Sequence, residues 1–132
     1  MGSPATDATA IDRDVVLLVV PANGSYLAVL RTATAGLAAR LLMTLDEIED
    51  LRIAVDEACA ILLPIASPDS DVTCQFQVLP DALNIDVSVP VTASGTLPGA
   101  QSFSWQVLTA LAGEVNAEHV DGIATIHLIK RR

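Results

Sequence analysis

The sequence has few aromatic and few basic residues, and each shortage argues against a class of function. Phenylalanine, tyrosine and tryptophan make up 3% of the 132 residues, so side chains that stack on nucleic-acid bases are scarce. Seven Lys and Arg stand against sixteen Asp and Glu, and the resulting net charge of −9 disfavours phosphate contacts. We therefore expect no direct nucleic-acid binding. The acidic surface serves either solubility alone or encounter with a basic protein partner.

Patterns typical of metal sites and membrane spans are also lacking. The cysteines, Cys59 and Cys74, lie in apolar surroundings without metal-site spacing, which predicts buried free thiols, no metal and a cytoplasmic protein. The longest apolar runs, Val15–Ala22 and Ala58–Ala66, fall far short of the roughly 20 residues that a membrane helix needs. The sequence therefore predicts no membrane association.

The N-terminal segment differs in composition from the rest of the chain. Residues 1–12 are small and polar, with neither the basic head nor the apolar body of a signal peptide, and we expect a flexible tail. Residues 13–132 are long enough to bury one core. The sequence therefore predicts one domain over residues 13–132.

Four segments have the apolar patterns of β-strands. Arg13–Pro21 is almost continuously apolar and β-branched, which predicts a strand mostly covered on both faces. Val72–Leu79 and Leu83–Val91 alternate with period two and are separated by a short turn, which predicts an antiparallel hairpin. Gly122–Ile129 alternates again and closes the chain as a strand.

Two helices are predicted between the first strand and the hairpin. Ser25 is placed to cap a helix that runs to about Leu42. The segment Thr44–Leu63 begins with Thr44-Leu-Asp-Glu47, a capping box in which two side chains satisfy each other's free backbone donors. An apolar stripe follows, and Pro64 is predicted to end this helix.

A third helix is predicted over Ser102–Val115, with Phe103 and Ala110 among its inward residues. The element order is then β-α-α-β-β-α-β. This order predicts an α/β fold, a two-layer sandwich in which three helices cover a mostly antiparallel sheet.

Two acidic residues stand out within the apolar part of the second helix. Asp56 and Glu57 interrupt the segment Leu51–Leu63. A glutamate in such surroundings is a general base, a residue that helps to order a water-bound metal, or one of two acids on a solvated helix face. The spacing alone favours the solvated face.

The segment Val55-Asp-Glu-Ala-Cys59 resembles the N-box helix of the histidine-kinase-like ATPases (Bergerat fold), in the RsbW/UsfX-type anti-sigma branch, which typically reads Ser/Asp-Glu-Ala-x-x-Asn. Ser102–Val115 resembles the G2 box of that family and the helix that follows it. The predicted element order agrees with the family over about residues 13–132.

The resemblance implies a degenerate ATP site. Glu57 takes the position of the family's base, but Ile61 replaces the Asn that holds magnesium and offers no oxygen ligand. Ser102 and Ser104 replace the G2 glycines, and Val89-Pro90 stands where an Asp reads adenine. We therefore expect no cofactor and no efficient kinase activity. Weak binding of ATP or ADP with Mg is the alternative.

By the same resemblance, the function implied is that of an anti-sigma factor. Such a protein sequesters an alternative sigma factor of the stress or sporulation type and is relieved by a STAS-type anti-anti-sigma protein. One alternative is an active serine-protein kinase that phosphorylates this antagonist, and another is a degenerate regulatory domain with some other protein target. Family members pair as homodimers, so we expect a homodimer here.

Four residues are candidates for contact with the partner. Arg31 and Arg40 lie on the first predicted helix, where an arginine can hold a partner carboxylate through two hydrogen bonds. For each of them, a simple solvated helix residue is the alternative. Tyr26 is either a contact or a packing residue, and Glu47 either meets a basic surface or serves only as part of the cap.

Overall fold

The computed structural model describes residues 14–93, 95–99 and 101–132. The predicted tail, residues 1–12, lies outside the described residues, as does Arg13. The helices and strands follow in the order β1 (Asp14–Pro21), α1 (Leu27–Arg40), α2 (Leu45–Leu62), β2 (Asp71–Val78), β3 (Ala82–Pro90), α3 (Phe103–Ala112), β4 (Glu114–Val120) and β5 (Ile123–Arg131). Short 3-10 turns lie at Gly24–Tyr26 and Leu63–Ile65.

Helix α2 begins and ends where the sequence predicts. The Thr44 hydroxyl accepts a hydrogen bond from the Glu47 amide at 3.1 Å, and the Thr44 amide donates to Glu47 Oε1 at 2.8 Å, which completes the capping box. Pro64 lies in the 3-10 turn that follows the helix. The inward side chains of the helix are buried: Leu51, Ala54, Val55, Ala58, Cys59, Ile61 and Leu62.

The five strands form one antiparallel sheet in the order β1-β2-β3-β5-β4. β2 and β3 form the predicted hairpin, with Cys74 opposite Val87 and Phe76 opposite Ile85. These four side chains are buried on the face that the helices cover. The α/β sandwich with a sheet covered by three helices is confirmed. The other face of the sheet, which we call the open face, carries polar and exposed side chains.

Strand β1 differs from its prediction. It lies at the edge of the sheet and pairs with β2 alone, so it is not covered on both faces. Val15, Leu17 and Val19 are each more than half exposed on the open face, at 51%, 57% and 55%. The continuous apolar run therefore reflects an exposed aliphatic edge of the sheet, where a strand buried between two layers was expected.

The third helix is shorter than predicted, and one strand was missed. Helix α3 ends at Ala112 because Gly113 adopts a φ of 92°, a left-handed conformation that favours glycine. Glu114–Val120 then forms β4, so the order is β-α-α-β-β-α-β-β. Phe103 is 80% exposed and Ala110 is exposed, because both lie on the outer side of this helix.

The start of the first helical segment also differs. Asn23, and not Ser25, supplies the cap: its Oδ1 accepts a hydrogen bond from the Ser25 amide at 2.9 Å. A single 3-10 turn, Gly24–Tyr26, then leads into α1. Over the ranges that the structure describes, none of the helices is long and apolar enough to cross a membrane.

Candidate functional site

Helix α2 places the predicted base and the predicted metal position one turn apart. Glu57 is half-buried, and Ile61, four residues on, is 8% exposed and belongs to the hydrophobic core. Residues at this spacing share one side of a helix. The position where the family's magnesium ligand is expected therefore carries an aliphatic side chain that is packed into the core.

The two serines at the predicted G2-box positions lie at the start of α3. Ser102 is the N-cap, and its Oγ accepts a hydrogen bond from the Trp105 amide at 3.2 Å. The Ser102 amide donates to the Gly99 carbonyl at 3.0 Å, and Ser104 is half-buried in the first turn. The hydroxyl of Ser102 thus satisfies a free amide at the helix start.

The last residues of β3 are packed into the sheet, and the segment that follows them contacts the 3-10 turn after α2. Val89 is buried at 1% exposure, and Pro90 pairs with Ile123 across the sheet. The Thr92 amide donates to the Ile65 carbonyl at 3.3 Å. A Cβ added at Gly95 would lie 3.1 Å from Ile65 Cβ, so glycine allows this close approach. Val89 and Pro90 offer no side-chain acceptor for an adenine amine.

Helices α1 and α2 pack together and expose a mixed surface. Tyr26, Val29 and Ile53 are 44%, 46% and 42% exposed, and Arg40 is exposed at the last position of α1. We call these four residues, together with Arg31 and Asp56, the helical surface. Three of the predicted partner residues, Tyr26, Arg31 and Arg40, are thus exposed or partly exposed, but the nine-residue spacing of Arg31 and Arg40 places these two on opposite sides of α1.

An ion pair joins the two helices within the helical surface. Arg31 Nη1 lies 2.9 Å from Asp56 Oδ1, and both side chains are partly exposed. The fourth predicted residue, Glu47, is engaged in the capping box. Hydrogen bonding from the Thr44 amide is the main cause that lowers the pKa of the Glu47 carboxyl. The sequence does not predict the ion pair between Arg31 and Asp56, because this contact depends on how the two helices pack.

A second polar group lies on the open face, and sequence reasoning missed it. His127 Nδ1 lies 2.6 Å from Asp86 Oδ1, and His127 Nε2 lies 2.6 Å from Glu118 Oε1. The only signal in the sequence was the period-two pattern, which places His127 on the side of β5 opposite to Ile126 and Leu128. The pairing itself depends on the strand register, Asp86 opposite His127 on the neighbouring strand.

This arrangement favours the charged form of His127. A neutral imidazole carries one N–H and one acceptor nitrogen, whereas both nitrogens here face carboxylate oxygens. Burial lowers the pKa of His127, but the hydrogen bonds and charges of Asp86 and Glu118 outweigh it, and the pKa is raised from its ordinary value of 6.5. The geometry therefore favours the imidazolium.

Comparison with known sequences gives named relatives, although no family model matches the chain. The chain is 37% identical over 105 residues to the anti-sigma-F factor RsbW of Mycobacterium tuberculosis, covering 79% of this chain and 61% of that protein. It is also 37% identical over 78 residues to the serine-protein kinase RsbW of Bacillus subtilis, covering 57% of this chain and 49% of the relative. The chain thus spans about half to three fifths of the length of these relatives.

Comparison with solved structures supports the same relationship at the level of fold. The structure is similar to that of the RsbU and RsbW domains of Rv1364c from Mycobacterium tuberculosis, with a TM-score of 0.71 and 15% identity. The match covers 89% of this chain and 32% of that chain. The histidine-kinase-like fold expected from the resemblance is therefore confirmed.

Proposed function

We propose that this chain, a relative of the RsbW proteins in sequence and in fold, is an anti-sigma factor that sequesters an alternative sigma factor of the stress or sporulation type. Bound in this way, the sigma factor does not associate with core RNA polymerase. The observation that carries the proposal is the 37% identity over 105 residues to a protein named anti-sigma-F factor. A STAS-type anti-anti-sigma protein relieves the block by competing for an overlapping surface.

The helical surface supports this function by its composition. Val29 and Ile53 expose aliphatic side chains, which contribute to binding when a partner covers them. Arg40 and Tyr26 at the two ends of the first helical segment are of the residue types that anchor protein interfaces. The net charge of −9 favours encounter with a basic sigma-factor surface.

We further propose that sequestration needs no nucleotide. Magnesium requires oxygen ligands, and Ile61 presents a buried aliphatic side chain at the position implied for one of them. The hydroxyl of Ser102 caps α3. These side chains do not fit a magnesium nucleotide, so we assign the chain no cofactor and treat Glu57 as a vestigial base.

A second candidate function is that of an active serine-protein kinase. The name of the Bacillus subtilis relative and the retained Glu57 favour it. Calorimetry of Mg-ATP binding, followed by assay of phosphate transfer to a STAS partner, separates the two candidates. Micromolar binding with measurable transfer supports the kinase, and the absence of both supports a binding protein.

Three further features belong to the proposal: a cytoplasmic location, a role in the stress response and assembly as a homodimer. The exposed aliphatic edge of the sheet on β1 supports the homodimer, because Val15, Leu17 and Val19 form an apolar row without a charge. Sedimentation of the purified chain tests the dimer directly. A monomer at all concentrations would contradict it.

Competition with RNA polymerase tests the function. A candidate alternative sigma factor is mixed with the chain before core RNA polymerase is added, and promoter-specific transcription is measured. We expect inhibition that saturates at one chain or one dimer per sigma factor, and relief when the STAS antagonist is added. Unchanged transcription with every stress and sporulation sigma factor of the source organism would contradict the proposal.

A further inference from the structure

The open face of the sheet contains a cleft of about 430 Å³ across β2, β3, β5 and β4. Its lining combines the amides of Asn84 and Asn116, the carboxylates of Asp86 and Glu114, and the aliphatic side chain of Ile129. The strand register explains the polar part. Asn84 stands opposite Ile129 and Ile129 opposite Glu114, while Asp86 and Asn116 flank His127.

Hydrogen-bond acceptors exceed donors in this cleft. The Asn84 amide nitrogen donates to Gln77 Oε1 at 3.2 Å, and Asn84 Oδ1 is buried without a partner among the described residues. Asp86 engages His127 through Oδ1, and Glu114 engages Arg131 Nε through Oε2 at 2.7 Å. Each carboxylate therefore retains a second oxygen that can accept a hydrogen bond.

The charges around the cleft favour a cation. The carboxylates of Asp86, Glu114 and Glu118 surround two cations, the imidazolium of His127 and the guanidinium of Arg131. The three carboxylates and two cations together remain net negative. The whole chain is also strongly acidic. An anionic ligand would meet repulsion here, whereas a ligand with several donors and a positive charge complements the lining.

We propose that this cleft receives an arginine side chain from a protein partner. A guanidinium is planar, carries five N–H donors and suits carboxylate oxygens, so it can donate to Asp86 and Glu114 together. Its alkyl chain packs on Ile129 while the charged end contacts the carboxylates. The cleft lies on the sheet face that the helices leave open, so the proposal does not depend on the anti-sigma function.

Titration followed by NMR tests the proposal on the full chain. The probe is N-acetyl-arginine amide, and the matched neutral probe is N-acetyl-citrulline amide, which keeps the shape and loses the charge. We expect saturable shifts of the backbone amides of Asn84, Asp86 and Asn116 with the arginine probe, and at least about tenfold weaker binding of the citrulline probe. Equal binding of the two probes, or no saturable shift, would overturn the proposal.

Three variants localise the site. Glu114→Gln and Asp86→Asn each remove one carboxylate from the cleft, and each should weaken arginine binding at least about tenfold. Asp71→Asn makes the same charge change at an exposed position of β2 outside this cleft and should leave binding within about twofold. Equal weakening by all three variants would indicate a general charge effect and contradict a built site. A lysine probe that binds as tightly as arginine would contradict selectivity for guanidinium.

Discussion

Arg31 Nη1 lies 2.9 Å from Asp56 Oδ1, and this ion pair joins α1 to α2 across 25 positions of the sequence. It connects the two helices whose exposed residues we propose for partner binding. The side chains are 34% and 39% exposed, so water screens the attraction. The pair is therefore expected to orient Arg31 more than to stabilise the fold.

A double-mutant cycle tests this expectation. Arg31→Ala, Asp56→Ala and the double variant are unfolded with urea, and we expect a coupling free energy of about 0.2–1 kcal/mol. Arg52 and Glu49, a surface pair at 2.9 Å within α2, provide the matched control and should give a similar value. A coupling of several kcal/mol for Arg31 and Asp56 would show that the pair is a main structural support.

The stability of the sheet should depend on pH through His127. Because the pKa of His127 is raised in the folded state, its contribution is fully present below the unfolded value of about 6.5. The contribution is lost as the pH rises through the higher folded value. Urea unfolding of the native chain should therefore show stability declining above pH 6.5.

The variant His127→Gln removes the charge and should flatten that decline. His119→Gln is the matched control, since His119 is exposed on β4 and makes no side-chain hydrogen bond within the described part of the chain. It should keep the native pH dependence. Identical pH profiles for the native chain and His127→Gln would contradict the charged bridge between Asp86 and Glu118.

An asparagine at position 61, where the family resemblance implies one, should destabilise the core and should not produce nucleotide binding. Ile61→Asn replaces an aliphatic side chain that is 8% exposed, and we expect a loss of about 2–5 kcal/mol in the free energy of unfolding. Ile61→Val, which keeps the core apolar, should cost about 0.5–1.5 kcal/mol. Urea unfolding measures both values.

The same variants are then unfolded with and without Mg-ATP. We expect no nucleotide-dependent stabilisation of Ile61→Asn, because Val89, Pro90 and the capping hydroxyl of Ser102 remain unsuited to a nucleotide. A clear rise in stability with Mg-ATP would show that this one substitution is enough to produce nucleotide binding.

Local patterns predicted those parts of the fold that depend on neighbouring residues. The capping box of Thr44 and Glu47 is visible within four residues, and both the cap and the helix it begins are confirmed. The sequence predicts the hairpin of β2 and β3 because each strand alternates and the connection is short, and the strand pairing confirms it. In these elements, the side chains that the apolar pattern predicts to face inward are the ones that pack in the core, and the local hydrogen bonds form as predicted.

Features that depend on distant partners were missed or wrong. The apolar run of β1 does not say whether the strand is central or at an edge, and the exposure of Leu17 depends on the sheet order. Strand β4 was missed, because the predicted helix extends to Val115 and residues 116–121 are assigned to no element, although Gly113 and the alternation of Val115 and Ala117 were available as signals. The contact between Asp86 and His127 joins residues 41 positions apart, so it required the strand register.

The most direct test of the proposed function is the affinity of the chain for a sigma factor without nucleotide. Isothermal titration calorimetry with the sigma factor identified by the transcription assay should give tight binding in the absence of ATP and magnesium. Ile53→Asp on the helical surface should weaken binding at least about tenfold, whereas Gln75→Asp, exposed on the open face, should not. Binding that requires Mg-ATP, or that is unaffected by Ile53→Asp, would contradict the account.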